Sequence, residues 1–233
     1  TARLLGTPAI GTIGGMIGAG LAGPRRIKAG GVRDHLLGAH AVSGFGDSFK
    51  TGGKVVKNVT GYDLCKLLAG SWGTLAVMTE VTLKLMPKGE AERTLVLRGL
   101  DHLVANKAMT AALGSPFDVS GASHLPASAF RSAISGLGEM GPQALTLLRL
   151  EGITASAEHR AVALTALLAA FGAAEILRDA ASAAVWSSPS PTTERSRSSP
   201  VRRGSPRVSS LSTVGAPSDR SPPRPDSSVS IIR

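Results

Sequence analysis

Aromatic residues make up only 3% of this 233-residue chain, with one Tyr, two Trp and five Phe. A core must therefore come mainly from Leu, Val, Ile and Ala, which bury less area per residue than rings do. A single cysteine, Cys65, excludes an internal disulfide framework and fits a reducing compartment. His35 and His40 have no metal-ligand spacing to Cys65 or to another histidine, so no metal is expected. The chain also lacks a Ser-His-Asp triad, a Walker loop and a dinucleotide-type GxGxxG after a strand. It opens on Thr1 rather than Met, so an upstream segment is expected and the lack of a signal peptide decides nothing.

The net charge of +10 looks at first like a nucleic-acid signal. Half of it falls after Trp186, where eight Arg face three acidic residues, so the body is only mildly basic. No RRM, zinc or helix-turn-helix pattern accompanies the charge, which argues against a nucleic-acid partner.

What the chain has in quantity is glycine. Leu4 to Pro24 carries no charge, and a third of it is Gly. The stretch is long enough to cross a bilayer, with GxxxG pairs at Gly11/Gly15 and Gly14/Gly18 and the positive flank Arg25, Arg26 and Lys28. Pro8, the glycine content and the low Leu/Ile content weigh against a membrane helix; the other reading is a tight loop at Gly11 to Gly15 followed by a short helix. Such glycines let backbone N–H groups approach a pyrophosphate, and Thr12 can add a hydroxyl bond. Arg25, Arg26, Lys28 and Arg33 form a basic loop patch. It reads either as solvated surface or as a contact for phosphate, an anionic substrate or another protein chain.

The stretch from Gly52 to Pro87 organises the rest. Gly44 to Lys54 reads as a hairpin after a strand from His35 to Ser43. Lys57, Asn58, Tyr62 and Asp63 precede a short helix over Leu64 to Ala69, which contains Cys65 as a packed small residue. A glycine-rich joint, Gly70-Ser71-Trp72-Gly73-Thr74, leads into a strand from Leu75 to Leu85. Its alternation places Val77, Thr79, Val81, Leu83 and Leu85 on one face. Met78, Glu80, Thr82 and Lys84 fall on the other, with Glu80 toward solvent.

Gly-Thr-Ile-Gly-Gly at Gly11 to Gly15, Ala-Gly-Pro-Arg-Arg at Ala22 to Arg26, Arg33-Asp34, Lys57-Asn58 with Gly61-Tyr62-Asp63, the Gly70 to Thr74 joint and the Thr79-Glu80-Val81-Thr82 strand occur in one order. In that order and spacing they resemble the PCMH-type FAD-binding domain shared by p-cresol methylhydroxylase and vanillyl-alcohol oxidase. Within that family they are most similar to the E-type FAD-binding chains of bacterial glycolate oxidases. The resemblance implies FAD as cofactor. It assigns contacts to Gly11, Thr12, Gly14, Gly15, Arg33, Asp34, Lys57, Asn58, Tyr62, Gly70, Ser71, Gly73 and Thr74. Lys57, Asn58, Tyr62 and Asp63 are equally readable as a loop braced by side-chain bonds to backbone. No catalytic base can be assigned.

Beyond Arg93 the order reads β-α-β-β-α. A strand over Thr94 to Leu97 comes first. Asp101 then caps a helix from His102 to Leu113, with Val104, Ala108, Ala111 and Ala112 inward and Gly114 as stop. A second strand spans Phe117 to Ser120 and continues to Pro126, and a third spans Leu145 to Leu150. Ser156 opens a second helix with Glu158 in its first turn, Ala161, Leu164, Leu168 and Phe171 inward, and Gly172 as its end. This suggests a ferredoxin-like layer and resembles the cap domain of these oxidases. His124 reads as a structural loop histidine or as a residue facing the flavin.

From Ser187 the chain holds 15 Ser, 8 Pro and 8 Arg in 47 residues, with no hydrophobic period. Such a composition cannot offset the entropy of ordering. It fits a disordered tail or a shifted reading frame.

The expected fold class is α+β, in three parts. Residues 1–90 are the second half of a PCMH-type FAD-binding domain, 91–186 a truncated ferredoxin-like cap domain, and 187–233 the tail. The implied function is that of a subunit of a flavin-dependent 2-hydroxy-acid dehydrogenase, oxidising glycolate to glyoxylate. Its implied partners are a second flavin subunit and an iron–sulfur subunit of a glycolate oxidase-like complex. The implied location is the cytoplasm, or the inner-membrane periphery through that complex. With half of the cofactor cradle expected upstream, these 233 residues by themselves are expected to bind FAD poorly and turn over nothing. The alternative is a non-catalytic basic protein that associates with membrane or nucleic acid.

Overall fold

The computed structural model describes residues 11–55, 61–127, 143–187 and 229–232. Lys57, Asn58, the whole Leu4 to Ile10 run and nearly all of the tail lie outside the described residues.

The first unit opens with three short helices, α1 (Ile13–Ala19), α2 (Arg26–Ala29) and α3 (Val32–His35). Thr12 caps α1 by accepting the Gly15 N–H at 2.9 Å. Gly20 ends it in the left-handed region at φ 62°. Seven residues give a helix about 10 Å long, a third of a bilayer core. The turn at Gly20 therefore removes the continuous membrane rod that the uncharged run allowed. No helix among the described residues is long and apolar enough to cross a membrane.

Next come β1 (Leu36–Ser43), β2 (Ser48–Gly52), α4 (Leu64–Leu68) and β3 (Ala76–Lys84). β1 and β2 form the expected hairpin, with Gly46 at φ 89° in its turn. His35 belongs to α3 rather than to the strand. Its ring nitrogens lie 2.8 Å from the Lys84 carbonyl oxygen and 2.7 Å from that of Ala29. Gly52, at φ 64°, is fixed by space as well: an added β-carbon would lie 2.1 Å from the Leu37 carbonyl oxygen and 2.8 Å from Cys65 Sγ. Cys65 is packed, as expected, and burial pushes its thiol pKa up. Ile17, Leu36, Ala39, Ala41, Leu68, Val81 and Leu83 complete this small core.

The expected alternation of β3 holds only in its second half. His40 pairs with Glu80 and Ala41 with Met78, so Thr79 is an extra residue, a β-bulge. One extra residue turns the preceding side chains to the opposite face. Val77 is consequently exposed, whereas Val81 and Leu83 point inward; Glu80, expected toward solvent, is half-buried and Thr82 is buried as well. A fourth strand, β8 (Val229–Ile232), lies parallel to β3, giving the order β2-β1-β3-β8. These four tail residues are thus strand rather than disordered chain.

The second unit runs β4 (Ala91–Arg98), α5 (His102–Leu113), β5 (Gly121–Leu125), β6 (Leu145–Gly152), α6 (Thr154–Leu167), a 3-10 turn at Ala169–Phe171, β7 (Ala174–Arg178) and α7 (Asp179–Ser187). Its sheet order is β5-β6-β4-β7 with antiparallel neighbours. This is the interlocked β-α-β-β-α-β arrangement. Asp101 caps α5 by accepting the Leu103 and Val104 N–H groups at 2.8 and 2.9 Å. Phe117 to Ser120 does not join the strand. Asp118 there sits at φ 53°, and pairing begins at Gly121. Leu95, Leu97, Leu148, Leu150, Leu164 and Leu168 form the core under α5 and α6, and small Ala faces let those helices sit close. α7 covers the other sheet face through Val96, Leu145, Leu147, Leu177 and Val185.

Candidate functional site

The expected cofactor residues that the structure describes all belong to the first unit. α1 contacts α3, and α3 contacts α4. Arg33 and Asp34 thus lie on a helix that packs against both α1 and α4. The Asp34 carboxylate accepts the Gly31 N–H at 2.8 Å, which pulls its pKa below the usual carboxylate value. Lys66 Nζ of α4 donates to the Arg33 carbonyl oxygen. Gly11 to Gly15 stay exposed.

The second glycine-rich segment comes directly against the first. Gly70 N–H donates to the Ile17 carbonyl at 2.9 Å, and Trp72 N–H donates to that of Gly18 at 2.8 Å. Gly70, Trp72 and Gly73 take φ values of 86°, 55° and 75°, a tight left-handed weave. The joint closes on itself through Ser71 N–H to Leu68 O at 3.2 Å, Thr74 N–H to Ser71 O at 3.0 Å and Thr74 Oγ1 to Ser71 O at 2.7 Å.

That closure changes the roles expected of these residues. Of the five amides from Gly70 to Thr74, four bond within the protein; Gly73 N–H makes no bond among the described residues. The joint thus braces the C-terminal end of α1 rather than offering a second row of donors. At the other end of α1, the Ile13 and Gly14 N–H groups have no acceptor among the described residues. Tyr62 is 93% exposed, and Asp63 caps α4 by accepting the Lys66 N–H at 3.2 Å. Ile13, Tyr62, Leu67, Trp72, Leu75 and Val77 leave an apolar exposed surface on this unit.

Within the basic patch the structure decides two positions. Arg25 binds Glu151 at the end of β6, Nε to Oε2 and Nη2 to Oε1, each at 3.0 Å. Lys28 pairs with Asp118. These cations serve contacts to the second unit. Sequence reasoning missed them because the partners lie 126 and 90 residues away.

His124 lies on β5, half-buried, with Nδ1 3.0 Å from Thr146 Oγ1 and its ring edge-on to His102 at 5.2 Å. Burial, then the neighbouring His102, holds its pKa below the ordinary value. Among the described residues no group of three or more His, Cys, Asp or Glu could hold a metal ion.

The described residues form a mixed helix-and-sheet protein in which two glycine-rich turns interlock. The structure is similar to that of alkyldihydroxyacetonephosphate synthase, with a TM-score of 0.52 and 15% identity over 72% of this chain and 34% of that one. In sequence it is similar to the glycolate oxidase subunit GlcE of Escherichia coli, 49% identical over 84 residues, 36% of this chain and 24% of that protein. The glycolate oxidase subunit GlcD of Bacillus subtilis is 47% identical over 87 residues, 37% of this chain and 18% of that protein. An uncharacterised FAD-linked oxidoreductase of Mycobacterium tuberculosis is 46% identical over 77 residues, 33% of this chain and 17% of that protein. No family model matches the chain. The chain matches less than a quarter of the length of each of these curated relatives. The resemblance read from the motifs is thus one of homology.

Proposed function

We propose that this chain is part of an FAD-binding subunit of a 2-hydroxy-acid dehydrogenase. One observation carries the reading: the Gly70 to Thr74 joint locks onto the end of a Thr12-capped helix whose first amides remain open. Open amides at a glycine-rich helix start suit a phosphate oxygen, and small residues let it come close. Thr12, Ile13, Gly14 and Gly15 would hold the FAD diphosphate, with Gly73 adding one donor. Gly70, Ser71 and Thr74 would act by fixing α1. Arg33 and Asp34 would contribute from α3, which packs on α1, and Tyr62 is the exposed ring available to the cofactor. Lys57 and Asn58 are proposed as contacts from their place in the motif alone.

When bound, the flavin accepts the hydride from the hydroxy acid, and the protein's part is to bind, orient and shield it. Glycolate is the first substrate to test, and D-lactate the second. The partners proposed are a second flavin subunit and an iron–sulfur subunit, in the cytoplasm or at the inner-membrane periphery. The sheet of the second unit would serve as the cap domain, with residues 1–90 and 91–186 as the two parts and 187–233 as the tail. The alternative of a basic binding module loses two of its body cations, since Arg25 and Lys28 are ion-paired.

The test is a graft. Residues 11–87 replace the matching stretch of the FAD-linked oxidoreductase, and the chimera is purified and its absorbance measured. A yellow protein with near-equimolar flavin is the expected result. A folded but colourless chimera would defeat the reading.

A further inference from the structure

We infer that Arg160 is the positioning residue of a latch that holds the second sheet unit against the α2 loop. Two ion pairs cross between the units, Arg25 with Glu151 and Lys28 with Asp118. Beside them the chain at Pro24 runs along β5, where a β-carbon on Gly121 would lie 3.5 Å from the Pro24 carbonyl oxygen. The two carboxylates come from separate places, the turn before β5 and the end of β6. One guanidinium bonds the backbone at both places and lies 3.9 Å from the Asp118 carboxylate, while the Glu151 carboxylate also pairs with Arg149 at 3.4 Å. Midway along α6, Arg160 Nη1 donates to the Phe117 carbonyl at 3.1 Å and reaches that of Asp118 at 3.5 Å. Its Nη2 donates to the Glu151 carbonyl at 2.8 Å.

Three local features serve this geometry. The Arg160 side chain is only 14% exposed, so its bonds are shielded from water. Asp118 sits at φ 53°, an uncommon conformation that Asp adopts more readily than most residues. Gly152 leaves the space: at φ 150°, an added β-carbon would lie 2.9 Å from Arg160 Nη2. The planar fork can address two strands of backbone at once, which a lysine ammonium cannot.

None of the Arg160 bonds reaches the first unit. Their effect on it is indirect, by aiming two carboxylates at a fixed separation. A lone exposed ion pair contributes little, because holding two long side chains costs entropy. Two pairs presented from a rigid base lose less on docking. The latch would keep the second unit seated beside the glycine-rich end of the first, and it does not depend on the flavin reading.

The Lys28–Asp118 contact can be read directly in the intact chain. A carbodiimide condenses an amine and a carboxylate in contact into an amide, and mass spectrometry of the digest measures its yield. Arg160→Gln should lower that yield about fivefold or more, the change expected when a marginal contact is weakened. Arg160→Lys should lower it too, since charge without the fork does not suffice. Gly152→Ala should act likewise with Arg160 still present. Circular dichroism melting shows which variants fold. A wild-type yield in any folded variant of the three overturns the proposal. If Arg160→Gln does not fold, Gly152→Ala decides. Because the crosslink needs no cofactor, a failure to bind FAD would leave this result untouched.

Discussion

Gly20 and Gly70 meet backbone to backbone: a β-carbon on Gly20 would lie 2.7 Å from Gly70 Cα and 3.1 Å from its nitrogen. This contact joins the two glycine-rich segments into one body. Gly20→Ala should therefore destabilise the first unit. The left-handed backbone alone costs about 1–3 kcal/mol, and the overlap adds to it. Gly23 is the matched control, with nothing within 4 Å of its added β-carbon. Gly23→Ala should stay within about 0.5 kcal/mol of wild type. Urea unfolding of both variants checks the contrast, and equal midpoints would refute the packing argument.

Arg93 offers a second test. Its side chain is 5% exposed and bonds Glu158 Oε2 and Asp179 Oδ1, each at 2.7 Å. It also donates to the Glu92 carbonyl at 2.9 Å. Asp179 sits at φ 42°, where β7 turns straight into α7, so Arg93 pins that turn. Arg93→Met should cost about 3 kcal/mol, the low end for breaking a buried pair, because the carboxylates keep partial access to water. Calorimetric melting gives the loss, and an unchanged melt would mean the turn holds without it.

Acid should expose the same cluster. Bonds from Arg178 and Arg93 pull the Glu158 pKa from 4.5 down to about 2. A carboxylate depressed in the fold stabilises above its unfolded pKa. That contribution is lost as pH falls from 4.5 toward about 2. Glu158→Gln should therefore be less stable than wild type at neutral pH, with the gap closing as pH approaches that lower value. His124 works in the same direction, in a higher pH window. Its lowered pKa means that protonation favours the unfolded chain once pH falls below its ordinary 6.5. Denaturant midpoints against pH, for wild type, Glu158→Gln and His124→Gln, separate the two.

Much of this architecture is legible in the residues. Asp101 and Gly114 bracket α5 because a carboxylate cap and a glycine stop act locally. The motif order from Gly11 to Thr82 carries the homology. What escaped depends on distant partners. The bulge at Thr79 is set by how β3 registers against β1, and nothing in the β3 sequence alone marks it. Arg25 and Lys28 look like any basic loop until the second unit supplies Glu151 and Asp118. The joint's glycines imply tight backbone, but only the fold shows that its amides turn toward α1 rather than outward.

That distinction separates Thr12 from Thr74, two hydroxyl residues that the motifs treat alike. Thr12 Oγ1 accepts the Gly15 N–H at the open start of α1, whereas Thr74 Oγ1 donates to Ser71 inside the joint. Thr12→Ala removes a helix cap worth about 1 kcal/mol, from a helix of only seven residues. In the grafted chimera it should lower flavin affinity as well, because the same turn presents the open amides. Thr74→Val should cost stability while leaving flavin affinity within about twofold once the protein is folded, a change smaller than one hydrogen bond contributes. Flavin fluorescence titration of the two folded chimeras measures the difference. If Thr74→Val loses flavin and Thr12→Ala keeps it, the phosphate site belongs at the joint and the order assigned to the two turns is reversed.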